Sequence, residues 1–180
     1  GRARSQTVLR TEVLPDLADA VIHEAKSSGL LPDELMDIAK GMGIGTPEDS
    51  PDYAVVVVAA GRYAIYQQRL VAQNMIDYDD MILAALKTLQ EPEIRKLWQS
   101  RVFAIFEDEA QDSSPLQTQL LEVLAGDPED NSKPLNIVRV GDPNQAINST
   151  FTPADPVFFN QFCDRTQEIG QLATIEQAGR

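Results

Sequence analysis

Two short apolar runs limit what this chain can fold into. Val102-Phe-Ala-Ile-Phe106 and the run from Leu135 to Val140 are each of strand length, and between them Ser114-Pro115 opens a helical pattern carrying Leu116, Leu120, Leu121 and Leu124. Strand, helix and strand in that order pair in parallel through a right-handed crossover. Parallel sheets are covered on both faces, and two strands are too few to make one. The expectation is therefore an α/β fold in which this segment supplies part of a parallel sheet, the other strands lying elsewhere in a larger protein.

The first hundred residues follow a different period. Leu17, Ala18, Val21, Ile22 and Ala25 recur at helical spacing, with Pro15 suited to a first turn and Gly29 to a helix end; a shorter helix follows from Pro32 to Lys40. The run Val55 to Val58 favours a strand by β-branching. Tyr63, Tyr66, Gln67 and Leu70 nevertheless continue at helical spacing with only Gly61 between, so one long helix is expected from Asp52 to Asn74. Asp77, three residues before Asp80, is placed to cap the next helix, which carries Met81, Ile82, Ala85, Leu86 and Leu89. A further short helix near Glu93 to Gln99 is expected to bury Leu97 and Trp98. The expected organisation is a helical subdomain over residues 1–100, the sheet-bearing unit over 101–163, and a poorly structured tail over 164–180.

Composition narrows the setting. Cys163 is the only cysteine, so neither an intramolecular disulfide nor a cysteine zinc cage can form, and a reducing, cytoplasmic location is expected. The apolar stretch from Tyr53 to Ala60 is too short to span a bilayer, so no membrane partner is expected. With 28 acidic against 15 basic residues the net charge is -13, a poor balance for binding nucleic acid alone. Eight carboxylates and no Lys or Arg lie between Glu107 and Ser132. Such runs are ordinarily solvated faces. His23 lies off its apolar stripe without a partner ligand and reads as a surface residue, whereas Cys163, near Phe158, Phe159 and Phe162, reads as a small buried hydrophobe.

The sharpest chemical feature is Phe106-Glu-Asp-Glu-Ala-Gln-Asp112, where an apolar strand ends directly in carboxylates. Adjacent Asp and Glu at the carboxyl edge of a parallel sheet can serve a magnesium ion and a water molecule, the Walker B arrangement. Asp108 would then hold Mg2+ and Glu109 would orient or deprotonate the attacking water in phosphoryl transfer. An acidic capping loop after a core strand is the competing reading. The second run also ends in a polar loop, Val140-Gly-Asp-Pro-Asn-Gln-Ala-Ile-Asn148, which places the Gln145 amide beside the Asp108 strand, where it could donate to a terminal phosphate oxygen. Taken alone, Gly141-Asp-Pro-Asn is an ordinary turn.

Together these segments resemble superfamily 1 helicases of the UvrD/Rep type. Ile76-Asp-Tyr-Asp-Asp-Met-Ile82 is similar to the family's Leu-Asp-Phe-Asp-Asp-Leu-Leu, Glu107-Asp-Glu-Ala-Gln-Asp112 to helicase motif II, and Val140-Gly-Asp-Pro-Asn-Gln-Ala-Ile147 to motif III, in the right order; Gln117 falls where the family commonly has a Gln. The resemblance implies part of a RecA-like motor domain of the P-loop NTPase type with an inserted, mostly helical subdomain. It also implies a parent that uses ATP and Mg2+ to translocate on single-stranded DNA and unwind duplex DNA, working with the remaining motor domains of its chain. Asp108 would be the magnesium residue, Glu109 the catalytic base, Gln145 the γ-phosphate contact and Phe151 the aromatic that stacks on a DNA base. Folding of Phe151 onto Phe158 and Phe159 is the alternative.

This chain departs from the family in two places. Asn148-Ser-Thr-Phe-Thr-Pro-Ala154 replaces Tyr-Gly-Phe-Arg-Gly-Ala, losing the Tyr and the Arg, and no Gly-x-x-x-x-Gly-Lys-Ser/Thr loop occurs in the 180 residues. Lacking a phosphate cradle, the segment alone is expected not to hydrolyse ATP. A non-catalytic module that kept the motor fold remains the alternative function. A two-metal nuclease using Asp108, Glu109 and Asp112 would need a further carboxylate motif or basic phosphate contact.

Overall fold

A computed structural model describes residues 14–41, 51–142 and 156–175. The chain packs as two compact units that divide between Arg95 and Lys96. The described residues are mostly helical and carry one small parallel sheet of two strands. No helix among them is long and apolar enough to cross a membrane.

The first unit is built from α1 (Leu14–Ser27), α2 (Pro32–Gly41), α3 (Pro51–Ala72) and α4 (Tyr78–Thr88), with α5 (Pro92–Gln99) running across the division. Its core sets four alanines, Ala18, Ala25, Ala59 and Ala60, together with Leu35 around Tyr63. Tyr63 is fully buried and its hydroxyl donates to the Leu30 carbonyl at 3.0 Å. The alanines, all on α1 and α3, let these two helices approach closely, and the helical period overrides the β-propensity of Val55 to Val58. Gly29, at φ 80°, closes α1 by the paired bonds Gly29 N to Lys26 O and Leu30 N to Ala25 O. His23 is exposed, as expected.

A buried charge network reinforces this core. Lys26 is 4% exposed and donates to Asp77, with Asp80 at 3.1 Å, while its ammonium lies 5.0 Å from the centre of the Tyr66 ring. Asp77 caps α4 by accepting from the Asp80 amide at 3.0 Å, and the Tyr66 hydroxyl donates to it at 2.8 Å. The Asp-Tyr-Asp-Asp segment is therefore a cap and a counterion cluster for one buried lysine. Burial pushes the Asp77 carboxyl up, but hydrogen bonds from Lys26, the Asp80 amide and Tyr66 outweigh it and hold the group below its ordinary range. Burial and the bond to Asp77 push the Tyr66 hydroxyl up to about 12.

The second unit holds β1 (Ile105–Glu107), a 3-10 turn (Ala110–Asp112), α6 (Pro115–Ala125), β2 (Ile137–Arg139) and α7 (Pro156–Glu168). Ser114 caps α6 with a reciprocal box in which Gln117 accepts from the Ser114 amide at 2.8 Å. The strands pair in parallel, Ile105 with Ile137, Phe106 with Val138 and Glu107 with Arg139.

Several expectations are corrected here. Each strand is three residues long, shorter than its apolar run, and the β1 run is not buried: Phe103 is 92% and Phe106 79% exposed. For Phe106 the cause is one-sided cover, since the Glu107–Arg139 face is the one that Glu122 of α6 and Phe162 of α7 meet, while Phe106 and Val138 point from the other. Leu97 and Trp98 of α5 are half exposed, and the buried residue is Gln99, whose amide donates to the Val123 carbonyl at 2.7 Å. In α4, Ile82 is buried and Met81 is not. α7 runs on through Glu168, beyond the expected start of the tail at 164, and Cys163 on it is half-buried, with burial pushing its thiol up.

Two stability predictions follow from the first unit. Gly61 lies inside α3 and a Cβ there meets no atom within 4 Å, so Gly61→Ala should stabilise the fold by about 0.5–1 kcal/mol in a urea titration. Asp77→Ala leaves buried Lys26 short of a partner and should cost about 1–3 kcal/mol at pH 7. Because the native carboxyl titrates below its unfolded value, this contribution is complete above roughly pH 4 and is lost as pH falls through the native pKa. Urea titrations at pH 7 and near pH 2 should show the gap between variant and parent closing.

Candidate functional site

The site begins where β1 ends. Hydrogen bonds continue the ladder beyond the strands: the Val140 amide donates to the Glu107 carbonyl at 2.8 Å and the Ala110 amide to the Val140 carbonyl at 2.9 Å. These bonds set the acidic tip of β1 beside Val140 and the residues that follow it, as a parallel pair must.

Beneath the tip sits a buried ion pair. Arg139 Nε lies 2.7 Å from Glu107 Oε2, with side-chain exposures of 3% and 7%. The pair is close by distance but not aligned as a hydrogen bond. Glu107 also accepts from the Ser113 hydroxyl at 2.5 Å, and the Arg139 guanidinium lies 4.8 Å from the centre of the Phe162 ring on α7. Arg139 reaches Glu122 of α6 at 3.5 Å as well.

Most of the acidic run is thereby absorbed. Glu107 and Glu122 face Arg139, Asp127 pairs with Lys133 at 2.7 Å, Glu129 with Lys96 at 2.8 Å, and Asp130 accepts from the Ser132 amide and hydroxyl. Among the described residues, Asp108, Glu109 and Asp112 have no Lys or Arg partner. Asp108 and Glu109 are also exposed.

Their local geometry is specific. Asp108 Oδ1 accepts from the Glu109 amide at 3.0 Å, and Glu109 sits in the left-handed region at φ 51°, ψ 42°, a conformation uncommon for a residue with a side chain. Gln111, 2% exposed, donates from Nε2 to Glu109 Oε2 at 2.7 Å and accepts at Oε1 from the Asp142 amide at 3.0 Å. One buried amide thus spans from the tip of β1 to the Asp142 backbone beyond β2. Gly141 makes room for it: a Cβ there would lie 2.3 Å from Gln111 Oε1, 3.1 Å from the buried Phe159 ring and 3.2 Å from the Ala110 amide.

Of the residues singled out in the sequence, Asp108 and Glu109 stand together at the strand end, beside the start of the loop after β2. Gln145 and Phe151 lie outside the described residues. Sequence reasoning missed Arg139 and Gln111; the first needed the strand register and the second the turn after β2. No group of three or more His, Cys, Asp or Glu side chains that could hold a metal forms among the described residues.

Residues 3–167 match the UvrD/REP helicase N-terminal domain. The chain belongs to the UvrD/Rep helicase family. It is 36% identical over 119 residues to the ATP-dependent DNA helicase UvrD1 of Mycobacterium tuberculosis, covering 65% of this chain and 15% of that protein. It is 31% identical over 167 residues to UvrD2 of the same organism, covering 91% and 22%, and 35% identical over 88 residues to the ATP-dependent DNA helicase Rep of Escherichia coli, covering 48% and 12%. The chain therefore spans less than a quarter of the length of these curated UvrD/Rep relatives.

The buried pair makes a testable claim. Arg139→Met strands the Glu107 carboxylate without a counterion and should cost about 3–5 kcal/mol. Adding Glu107→Leu should recover most of that loss. Urea unfolding of the 180-residue chain measures both, and additive losses would show that the two charges do not act as a pair.

Proposed function

We propose that this UvrD/Rep-family segment is the Walker B half of a helicase motor: part of a RecA-like domain with its helical insertion, in an enzyme that couples ATP hydrolysis to movement on single-stranded DNA and unwinding of duplex DNA. One observation carries the reading. Of the eight carboxylates in the acidic run, the two left exposed without a basic partner among the described residues are the adjacent Asp108 and Glu109, at the carboxyl end of a parallel strand. Ligands of open α/β sheets bind at that edge.

The residues fit magnesium of the kind that accompanies a nucleotide. Mg2+ takes one or two carboxylates and completes its shell with water and phosphate oxygens, so an exposed Asp108 suffices without a protein cage. Bound there, the ion would neutralise charge on the phosphates. Glu109, exposed and fixed by its backbone and by Gln111, is suited to accept a proton from a water attacking the terminal phosphate. Gln145 is proposed as the contact to that phosphate and Phe151 as a base-stacking residue, both from the sequence alone. The cradle for the triphosphate would come from outside these residues, so the 180-residue chain by itself is proposed not to turn over ATP.

In the helicase that carries this segment, Glu109→Gln should lower ATP turnover about 100-fold or more while leaving nucleotide binding intact, because the amide keeps the shape and cannot accept the proton. Asp108→Ala should instead weaken binding of the Mg-nucleotide complex. Unchanged turnover in the first variant removes Glu109 from the base role; a parent that neither binds nor hydrolyses ATP is a non-catalytic module.

A further inference from the structure

We propose that Gln111 is a positioning residue for Glu109, fixing its carboxylate and tying it to the Asp142 backbone just beyond β2, so that this backbone and the base move as one. The proposal rests on the reading of Glu109 as the base. Three observations support it beyond proximity.

The first is that both ends of the Gln111 amide are used, in one orientation. Nε2 faces a carboxylate oxygen at 2.7 Å and Oε1 faces a backbone N–H at 3.0 Å. Turning the amide over would set oxygen against carboxylate and NH2 against N–H, so both neighbours fix the same assignment. The second is burial. Gln111 is 2% exposed, and an amide is buried only when its hydrogen bonds are met, whereas the Glu109 side chain it holds is exposed and would otherwise sample several rotamers. The third is the space kept for the contact. Any side chain at Gly141 would collide with Gln111 Oε1, and the Phe159 ring of α7 backs the same spot, so Gly141 brings the Asp142 amide within reach.

The consequence is mechanical. A displacement of the backbone at Asp142 changes the anchor of Gln111 and, through Nε2, the aim of the Glu109 carboxylate. No metal and no proton transfer by Gln111 is involved. Its action is to hold Glu109 in place.

Two variants separate the halves of this bridge. Gln111→Met keeps the length and removes both hydrogen bonds. Gln111→Glu keeps an acceptor for the Asp142 amide and sets a carboxylate against Glu109. In the helicase carrying this segment, both should lower kcat for ATP about 10- to 100-fold with KM for ATP within about twofold of the parent. In the 180-residue chain, hydrogen exchange at the Asp142 amide should quicken about tenfold or more in Gln111→Met and stay near the parent rate in Gln111→Glu. That split between turnover and exchange would not arise from loss of packing, which moves both readouts together with the melting temperature. Parental kcat in Gln111→Glu, alongside the expected loss in Glu109→Gln, overturns the positioning role and leaves the base intact. Parental turnover in Glu109→Gln overturns both. Parental exchange at Asp142 in Gln111→Met overturns the bridge to the turn whatever the kinetics show.

Discussion

The second unit depends on the Glu107–Arg139 pair. In a two-stranded sheet of three residues each, apolar contacts alone specify register weakly, and a slip by one residue sends every side chain to the opposite face. Opposite charges set directly across from one another at Glu107 and Arg139, with about 95% of each side chain out of water, remove that freedom. A slipped strand would leave one charge buried without its counterion, which costs far more than a lost apolar contact. Register then fixes the rest: Val140 bonds back to Glu107, Ala110 to Val140, and the exposed carboxylates of Asp108 and Glu109 come to lie at the strand end beside Gly141. The pair is a device of specificity more than of stability, and its unaligned geometry agrees with that role.

What was legible in the sequence follows from what local rules can see. Caps and periods are local, so the Asp77 cap, the helix start at Ser114-Pro115 and the long helix through Val55 to Val58 were all readable from short windows, whereas the reciprocal box with Gln117 was not read. Burial of charge is not local. Lys26 reads as a surface residue of α1 until Asp77, Asp80 and Tyr66 are brought around it, and Arg139 reads as an interruption of an apolar strand until Glu107 is set opposite. The apolar run at Val102 to Phe106 failed for the converse reason. Its residues have the composition of a doubly covered strand, but the described residues cover only one face, so Phe106 stands 79% exposed.

The acidic run shows how a site can be told from a solvated face. By composition its eight carboxylates are equivalent, and counting charges favours neither reading. The fold distinguishes them by what each is given. Those at 107, 122, 127 and 129 receive a basic partner, and Asp130 receives the Ser132 amide and hydroxyl. The pair at the strand end receives a buried amide and a strained backbone, which orient charge without neutralising it. An uncancelled, oriented charge is what a phosphoryl-transfer site needs, because a lysine pairing with Glu109 would compete with the proton it is proposed to accept.

The same logic bears on how such a motor divides its work. In the proposed arrangement Asp108 and Glu109 stand together at the end of one strand pair, while the cradle for the triphosphate would come from outside these 180 residues. The triphosphate cradle and the base are then built on different pieces of backbone. A change at Gln111 alters the aim of Glu109 while leaving Asp108 and the cradle untouched, so its effect falls on the rate of the chemical step and spares nucleotide affinity. A change in strand register, by contrast, shifts Asp108, Glu109 and the Gly141 turn together. That is why a charged pair with no chemical role of its own, one strand position below the carboxylates, has as firm a hold on the site as the residues that would meet the nucleotide.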